Sequence, residues 1–328
     1  MTPVPSPPVV TLTLNPALDL HEEVPGPRLH ALNRASRGTF EPSGKGINVA
    51  RALHELGLEV TAVAPLGGPL GRLIREALEA QGLNLRACPV AGETRLNVKI
   101  ADQAGRTTEF NLPGPALSGE ELGRVWDALR SVARPGSWVV LAGSLPPGVP
   151  ATLYGDWTRA LQAQGATVLL DAGGEALRGA LASGPFLIKP NREEAQAALG
   201  SPIRTRQDAL DAARRLRALG ARQVALSLGA QGALLLGEEA VFATPPEVVV
   251  RSTVGCGDAL LAGLIASLRW GRGWQGAARF ATAYAAARAQ HGGPDFGAAG
   301  RAQPLLDAVQ LVGAAEQGAQ ERGVELWT

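Results

Sequence analysis

The sequence predicts an α/β fold: a large, mostly parallel sheet with helices on both faces, and a small β-rich appendage beside it. Three observations point there. From about residue 115 onward, short apolar runs alternate with amphipathic stretches, the rhythm of repeated β–loop–α units. Glycine-rich and polar clusters fall just after the apolar runs, where ligands meet the carboxyl ends of parallel strands. Between residues 94 and 100 the pattern instead alternates strictly, with Arg95, Asn97 and Lys99 on one face and Leu96, Val98 and Ile100 on the other. That period of two marks a half-exposed strand outside the main sheet.

Taken in order, Val9 to Leu14 is a β-rich run closed by Asn15-Pro16, because proline cannot extend the ladder. Asp19 is thereby expected in the loop beyond that strand. Residues 21–40 read as irregular, with Pro25 and Pro27. Glu41-Pro-Ser-Gly-Lys-Gly-Ile-Asn-Val-Ala50 then opens a helix whose apolar stripe runs through Ile47, Ala50, Leu53 and Leu56 and stops at Gly57. Gly44 and Gly46 let the backbone approach a ligand closely. Their spacing is neither a Walker A loop nor a dinucleotide fingerprint. A strand at Val60 to Ala64 and a helix at Gly71 to Ala80 lead into the alternating strand. A turn at Gln103-Ala-Gly-Arg106 returns the chain through Thr107 to Leu112 as a hairpin. The appendage thus comprises about residues 20–40 and 93–112 of a single domain spanning 1–328.

Regular alternation follows. Helix Glu120 to Val132 precedes strand Ser137 to Ala142, which ends in Gly143-Ser144-Leu-Pro-Pro-Gly148. Helix Ala151 to Gln164 leads to strand Thr167 to Leu170, which delivers Asp171. Phe186 to Ile188 runs into Lys189-Pro190-Asn191-Arg-Glu-Glu194, and helix Gln207 to Leu219 leads to a strand ending in Ser227-Leu-Gly-Ala-Gln-Gly232. Ala233 to Leu236 and Val241 to Ala243 form a closing antiparallel pair. Helices at Gly257 to Arg269, Trp274 to Gln290 and Leu305 to Gln317 finish the chain.

Composition narrows the function. A formal charge of +1 over 328 residues lacks the basic bias of a nucleic-acid binder. No apolar run is long enough to span a bilayer, and Met1 to Pro8 lacks the basic start and apolar core of a secretory leader. Two cysteines, Cys88 and Cys256, make no disulfide framework or metal-ligand spacing, which suits a reduced, cytoplasmic setting. Of 31 basic residues only Lys45, Lys99 and Lys189 are lysines, and each falls in a segment of chemical interest.

The stretch Ser252-Thr-Val-Gly-Cys-Gly-Asp-Ala-Leu-Leu-Ala-Gly263 is the focus. A helix that begins at Gly255-Cys256-Gly257 offers free N–H groups and a positive dipole end to phosphate. Asp258, in its first turn, either takes a proton from a nucleophile attacking that phosphate or merely improves the helix start. The other loops supply what an ATP-dependent sugar-phosphate kinase needs, since phosphoryl transfer rests on positioning and charge stabilisation. Asp19, with Asn48 and the Gly44 backbone, suits sugar hydroxyls. Arg95, Lys45 and Ser144 suit a phosphate already on the substrate, and Arg34 and Asn97 complete the substrate-binding candidates. Glu194 with Asn191 suits a Mg²⁺–water–phosphate network. The Ser227, Gly229 and Gly232 loop suits a nucleotide.

Six segments carry a family resemblance across nearly the whole chain: Thr11-Leu-Thr-Leu-Asn-Pro-Ala-Leu-Asp19, Gly44-Lys-Gly-Ile-Asn48, Thr94-Arg-Leu-Asn97, Gly143-Ser-Leu-Pro146, Lys189-Pro-Asn191 and Thr253-Val-Gly-Cys-Gly-Asp258. In type, order and spacing they resemble the PfkB (ribokinase-like) carbohydrate kinases. The resemblance implies a Rossmann-like α/β domain with a β-sheet lid, and lid strands that pair in a homodimer. It implies Asp258 as the base, the Gly255 to Asp258 backbone as an anion hole, and ATP at Lys189, Ser227 to Gly232 and Gly257. Asn15-Pro-Ala, Gly-Lys-Gly-Ile-Asn and Thr-Arg-Leu-Asn-Val-Lys are most similar to the phosphosugar subgroup that converts fructose 1-phosphate to fructose 1,6-bisphosphate. Fructose 6-phosphate and tagatose 6-phosphate are the alternatives, and a non-catalytic sugar-phosphate sensor is the rival of another class. Two positions depart from the family: Ser43 replaces a usual glycine, and Cys256 a usual alanine. A thiol at a helix N-terminus is expected to have a lowered pKa, so its oxidation or alkylation should block the anion hole.

Overall fold

Strand β1 (Val9–Thr13) is buried at every residue, so helices must cover both faces of the sheet around it. The structure, a computed structural model, describes residues 7–103, 106–291 and 296–313. Residues 1–6, residues 104–105 of the expected turn, residues 292–295, the end of the helix expected at Leu305 to Gln317 and the tail beyond it lie outside the described residues.

After β1 come β2 (Ala17–Glu23), β3 (Arg37–Ser43), α1 (Lys45–Glu55), β4 (Val60–Leu66), α2 (Gly68–Ala80) and β5 (Asn84–Pro89). Next are β6 (Arg95–Ala101), β7 (Thr107–Asn111), α3 (Gly119–Val132), β8 (Trp138–Ala142), α4 (Leu153–Ala163) and β9 (Thr167–Asp171). Then follow α5 (Gly174–Leu181), β10 (Leu187–Ile188), α6 (Arg192–Leu199), α7 (Arg206–Ala218) and β11 (Gln223–Ser227). The chain closes with β12 (Ala233–Leu236), β13 (Ala240–Thr244), α8 (Cys256–Arg269), α9 (Gly273–Ala289), α10 (Ala299–Ala302) and β14 (Gln310–Gly313).

The large sheet has the order β14-β13-β12-β11-β10-β9-β8-β1-β4-β5. It is parallel from β5 to β11 and antiparallel from β11 through β14. The chain leaves β1 for β4 on one side and later fills the other side from β8 outward. The winding therefore reverses between β1 and β8, and the crevice at their carboxyl ends is where such sheets bind ligands. Alternate strand residues feed two cores. Val9, Ile47, Leu53, Leu264 and Ala281 belong to one, on the side of α1, α8 and α9. Val10, Leu12, Leu129, Leu161 and Leu216 belong to the other, on the side of α3, α4 and α7.

A separate sheet, ordered β3-β2-β6-β7, forms the lid. Here the structure corrects the sequence. Residues 17–23 and 37–43 are paired strands rather than irregular chain, and Asp19 sits on β2 rather than in a loop. On β2 the Asp19 side chain is turned inward, 1% exposed. The same inversion holds in β6, where Asn97 and Lys99 are buried while Val98 and Ile100 are only half-buried. A strand whose polar side is the buried one must be lining a polar cavity, since buried polar groups need partners. Two further strands escaped the sequence. β5 lacks a clear alternation, and β14 takes residues from the expected helix Leu305 to Gln317. Pairing Phe242 with Val312 covers the otherwise open edge of β13.

Lid and main domain are joined by a buried ion pair. Arg51 on α1 donates from Nη1 to Glu41 Oε1 (2.7 Å) on β3 and from Nε to Gln81 Oε1 (3.0 Å). On the lid side Glu41 also faces His21 Nε2 at 3.4 Å. Despite burial, which acts upward, His21 and then Arg51 hold the Glu41 carboxyl below its ordinary value. Removing one partner of a buried pair leaves a charge without compensation. Arg51→Leu is therefore expected to lower the unfolding free energy by about 3–5 kcal/mol, and Arg51→Leu combined with Glu41→Gln to recover much of that loss. Urea denaturation of both variants measures this; equal losses would show that the pair is not what Arg51 contributes.

Candidate active site

A cleft of about 1430 Å³ opens between the polar face of the lid and the carboxyl ends of the central strands. The site residues named from the sequence line it, from Asp19 on the lid to Gly232 beyond β11, except Arg34 and Gly46, the latter packed on β1 where a Cβ would meet the Leu12 carbonyl oxygen at 2.5 Å. Arg34 lies in the exposed loop between β2 and β3 and does not line its own chain's cleft. All three lysines of the chain line it, and each meets a buried or half-buried carboxylate.

The start of α8 forms the floor. Gly255 caps it at φ 76°, a left-handed conformation that costs glycine nothing. The Cys256 N–H turns back to the Thr253 carbonyl at 3.3 Å. The N–H groups of Gly257 and Asp258 follow in the first turn, where no carbonyl of their own helix reaches them. Lys189, 3% exposed, packs beneath this turn: its Nζ lies 3.3 Å from where a side chain on Gly257 would begin. Backbone donors and a fixed ammonium thus converge on one anion position.

Asp258 is buried beside it, and Asn48 Nδ2 donates to its Oδ2 at 2.8 Å. The helix holding Asn48 begins at Gly44, whose φ is 133° and where any Cβ would strike the Thr13 side chain at 2.5 Å. Burial, and then the charge of Asp171, push the Asp258 carboxyl above its ordinary value against the pull of Lys189, Asn48 and Lys45. Asp171 itself goes the other way. Burial acts upward, yet Lys189 and Lys45 outweigh it and hold Asp171 below its ordinary value. The two carboxylates are thus driven apart by their environments, the pattern that separates acid and base roles in enzyme sites.

Sequence reasoning places Asp171 at a strand end and assigns it no role. In the structure it is fully buried at the end of β9, with Lys45 Nζ 2.9 Å from Oδ1 and Lys189 Nζ 3.1 Å from Oδ2. Lys45 Nζ also meets Glu194 Oε1 at 2.8 Å. Lys45 was expected beside Arg95 and Ser144; it instead spans the two carboxylates. Burial alone would lower the Lys45 pKa, but the Asp171 and Glu194 charges dominate and raise it. Asn191 and Glu194 form a reciprocal capping box at the start of α6: Asn191 Oδ1 accepts from Glu194 N–H (2.7 Å), and Glu194 Oε2 from Asn191 N–H (2.9 Å). The strand-end position of Asp171, facing the ligand side of a parallel sheet, was the available signal.

On the lid, Asp19 Oδ1 accepts from Asn97 (2.8 Å), and Lys99 Nζ lies 2.6 Å from Oδ2. Arg95 donates to the carbonyls of Asn15 and Leu112, and Asn15 Nδ2 donates to Ser144 Oγ at 3.1 Å. Asn15 is thus the bridge between Arg95 and Ser144. Among the described residues no group of three His, Cys, Asp or Glu side chains converges as metal ligands. Ser227 to Gly232, Pro245, Val248, Ala285 and Ala289 line the more apolar end of the cleft.

Cys256 departs from expectation. Burial pushes its thiol up to about 11, and the Asp258 charge adds to this against Arg288; Sγ points to the Ser252 carbonyl at 3.7 Å. Desolvation outweighs the helix N-terminus, so the thiolate that reacts is scarce. Iodoacetamide at pH 7.5 should modify Cys256 at least about tenfold more slowly than a free cysteine. Mass spectrometry of the time course checks this, and labelling at the free-thiol rate would contradict the burial account.

Known proteins share this architecture. The chain is 40% identical over 280 residues to a 1-phosphofructokinase of Rhodobacter capsulatus, covering 84% of this chain and 88% of that one. It is 36% identical over 280 residues to the 1-phosphofructokinase of Escherichia coli K12, covering 85% and 89%. Among solved structures, phosphofructokinase-2 from Escherichia coli in complex with substrates and products superposes with a TM-score of 0.85 at 31% identity, covering 92% of this chain and 99% of that one. Arabidopsis thaliana ribokinase, at 24% identity and a TM-score of 0.73, shares the fold. The pattern of the pfkB family carbohydrate kinases matches residues 9–299. The chain belongs to the pfkB family of carbohydrate kinases.

Proposed function

We propose that the protein is an ATP-dependent hexose-phosphate kinase that converts fructose 1-phosphate to fructose 1,6-bisphosphate. The observation that carries this reading is the buried Asp258, its pKa raised, beside the free N–H groups of the α8 start and the Lys189 ammonium. The substrate hydroxyl gives its proton to Asp258 as its oxygen bonds the γ-phosphorus; the bond to the bridging oxygen breaks and ADP leaves. Backbone N–H groups and Lys189 hold the charge spread over the transferring phosphoryl oxygens. Asp19, oriented by Asn97 and Lys99, is placed to accept sugar hydroxyls. Arg95 and Ser144 line the part of the cleft suited to the substrate's own phosphate. The names of the relatives favour fructose 1-phosphate; the likeness to Escherichia coli phosphofructokinase-2, solved in complex with fructose 6-phosphate, favours that sugar as the second reading.

A divalent cation, Mg²⁺ by preference, fits the chain. Asp171 and Glu194 converge on a single positive charge, the Lys45 ammonium, which is a stand-in for such an ion. Two carboxylates match what Mg²⁺ takes from a protein when phosphate oxygens and water complete its shell. When bound, the ion neutralises phosphate charge during transfer.

The lid supports a homodimer. Register aligns Phe40, Leu20, Val98 and Phe110 in one row across its four strands, and Phe40 and Phe110 are 59% and 54% exposed. A second copy of this apolar row is the natural cover. The inhibited form of Escherichia coli phosphofructokinase-2 is a tetramer. Among the described residues no helix is long and apolar enough to cross a membrane, and a cytoplasmic location suits two free cysteines and a sugar-phosphate substrate.

An ADP-release assay with fructose 1-phosphate, fructose 6-phosphate and tagatose 6-phosphate should give the highest kcat/KM with the first. Tight sugar-phosphate binding without turnover on any of them would replace the kinase with a sensor. Asp258→Asn should keep both substrates bound and lose roughly 10²–10⁴-fold in kcat. The same change should stabilise the fold at pH 8, because a carboxyl with a raised native pKa costs stability when ionised. That gain should shrink as pH falls through the raised pKa, where wild-type Asp258 takes up its proton. Thermal melts across pH check the sign; a destabilised Asp258→Asn at pH 8 would refute it.

A further inference from the structure

We infer that Lys45 is a resident counter-cation: in the nucleotide-free enzyme its ammonium holds the point between Asp171 and Glu194 that a divalent cation takes over when the nucleotide arrives. The inference rests on the divalent-cation reading above and adds the residue that controls entry to that seat. Of the two ammonium groups on Asp171, only one can leave. Lys189 has a side chain 4% exposed and is packed under Gly257. Lys45 has a side chain 32% exposed, and it starts α1 at the rim of the cleft, so its flexible stem can swing away without opening the core.

The two carboxylates do not depend on Lys45 for their placement. Asp171 is held through Oδ2 by Lys189. Glu194 is held through Oε2 by the Asn191 N–H, which leaves Oε1 directed at Lys45. Both ligand oxygens therefore stay in position when the ammonium departs. A tethered ammonium is always present at high effective concentration, whereas a free divalent ion must shed strongly held water for only two carboxylate oxygens. The balance favours Lys45 until phosphate oxygens come with the ion. Metal alone is thus excluded, and metal enters as the metal–nucleotide complex.

The departing ammonium has a destination. Lys45 and Asn48 lie three residues apart on α1 and so share a helix face. Asn48 already bonds Asp258. A Lys45 released by the metal–nucleotide complex stands beside the base and the transferring phosphoryl group, so one event loads the nucleotide and adds a cation to the reaction centre.

The test is Mn²⁺ binding to the nucleotide-free protein, read by electron paramagnetic resonance of the free ion. Lys45→Met should bind Mn²⁺ at least about fivefold more tightly than wild type, as expected when one member of a contacting charge cluster is removed. Lys45→Arg, which keeps the charge, should bind it as weakly as wild type and so controls for general disturbance of the fold. Glu194→Gln should weaken Mn²⁺ binding in the presence of ADP. If Lys45→Met binds Mn²⁺ no better than wild type while Glu194→Gln does weaken the Mn²⁺–ADP complex, the cation seat stands and the role of Lys45 is wrong. If Glu194→Gln leaves the Mn²⁺–ADP complex unchanged, the seat itself is misplaced, and the inference goes with it.

Discussion

Asp171 stays ionised without any exposure to water because two ammonium groups stand against its two oxygens. Much of the site depends on that arrangement. It locks Lys189 under the Gly255–Gly257 turn, which puts a fixed positive charge at the anion position. It engages Lys45, and through Lys45 the first turn of α6. It also places a negative charge close enough to Asp258 to raise its pKa. A single buried carboxylate thus orders the cations and adds to the burial that raises the Asp258 carboxyl. Without its partners it would be too costly to bury.

The lid follows a second constraint. Its sheet has one polar and one apolar face, and the polar one is turned inward. Asn97 and Lys99 both hold Asp19 there, and the buried Asn97 Oδ1 is left without a partner among the described residues, a hydrogen-bonding surface for a hydroxylated, charged ligand. The apolar row from Phe40 to Phe110 is left outward, the reverse of a self-sufficient half-buried sheet. The Arg51–Glu41 pair anchors the sheet to the main domain.

The repeated β–loop–α units were legible because burial on both faces imposes apolar runs of recognisable length, as in Val139 to Ala142 and Val168 to Leu170. The helix boundaries at Gly44, Ser118 and Gly255 were close to where glycine turns and caps put them. What escaped were elements stabilised by partners far away in sequence. β2 and β3 look irregular until β6 is laid beside them, and β14 reads as helix until the open edge of β13 is known. In the site, the glycine loops, the Asp258 motif and the three lysines stood out; the part played by Asp171 and the bridging role of Asn15 did not, because their importance lies in what they touch.

The sequence by itself determined the order of the units and the loops that carry polar and glycine-rich motifs, the Asp258 loop among them, because these are set by local pattern and spacing. Only the tertiary structure decided which charges meet. Lys45 at the start of α1, Asp171 at the end of β9, and Lys189 and Glu194 from the connection between β10 and the first turn of α6 come from three distant segments and converge at one edge of the cleft. Long-range Coulomb contacts in a buried space leave no periodic trace in the chain. The direction in which Cys256 and Asp258 titrate was decided the same way. Local rules predict a lowered thiol pKa at a helix start, and burial, a property of the whole fold, reverses it.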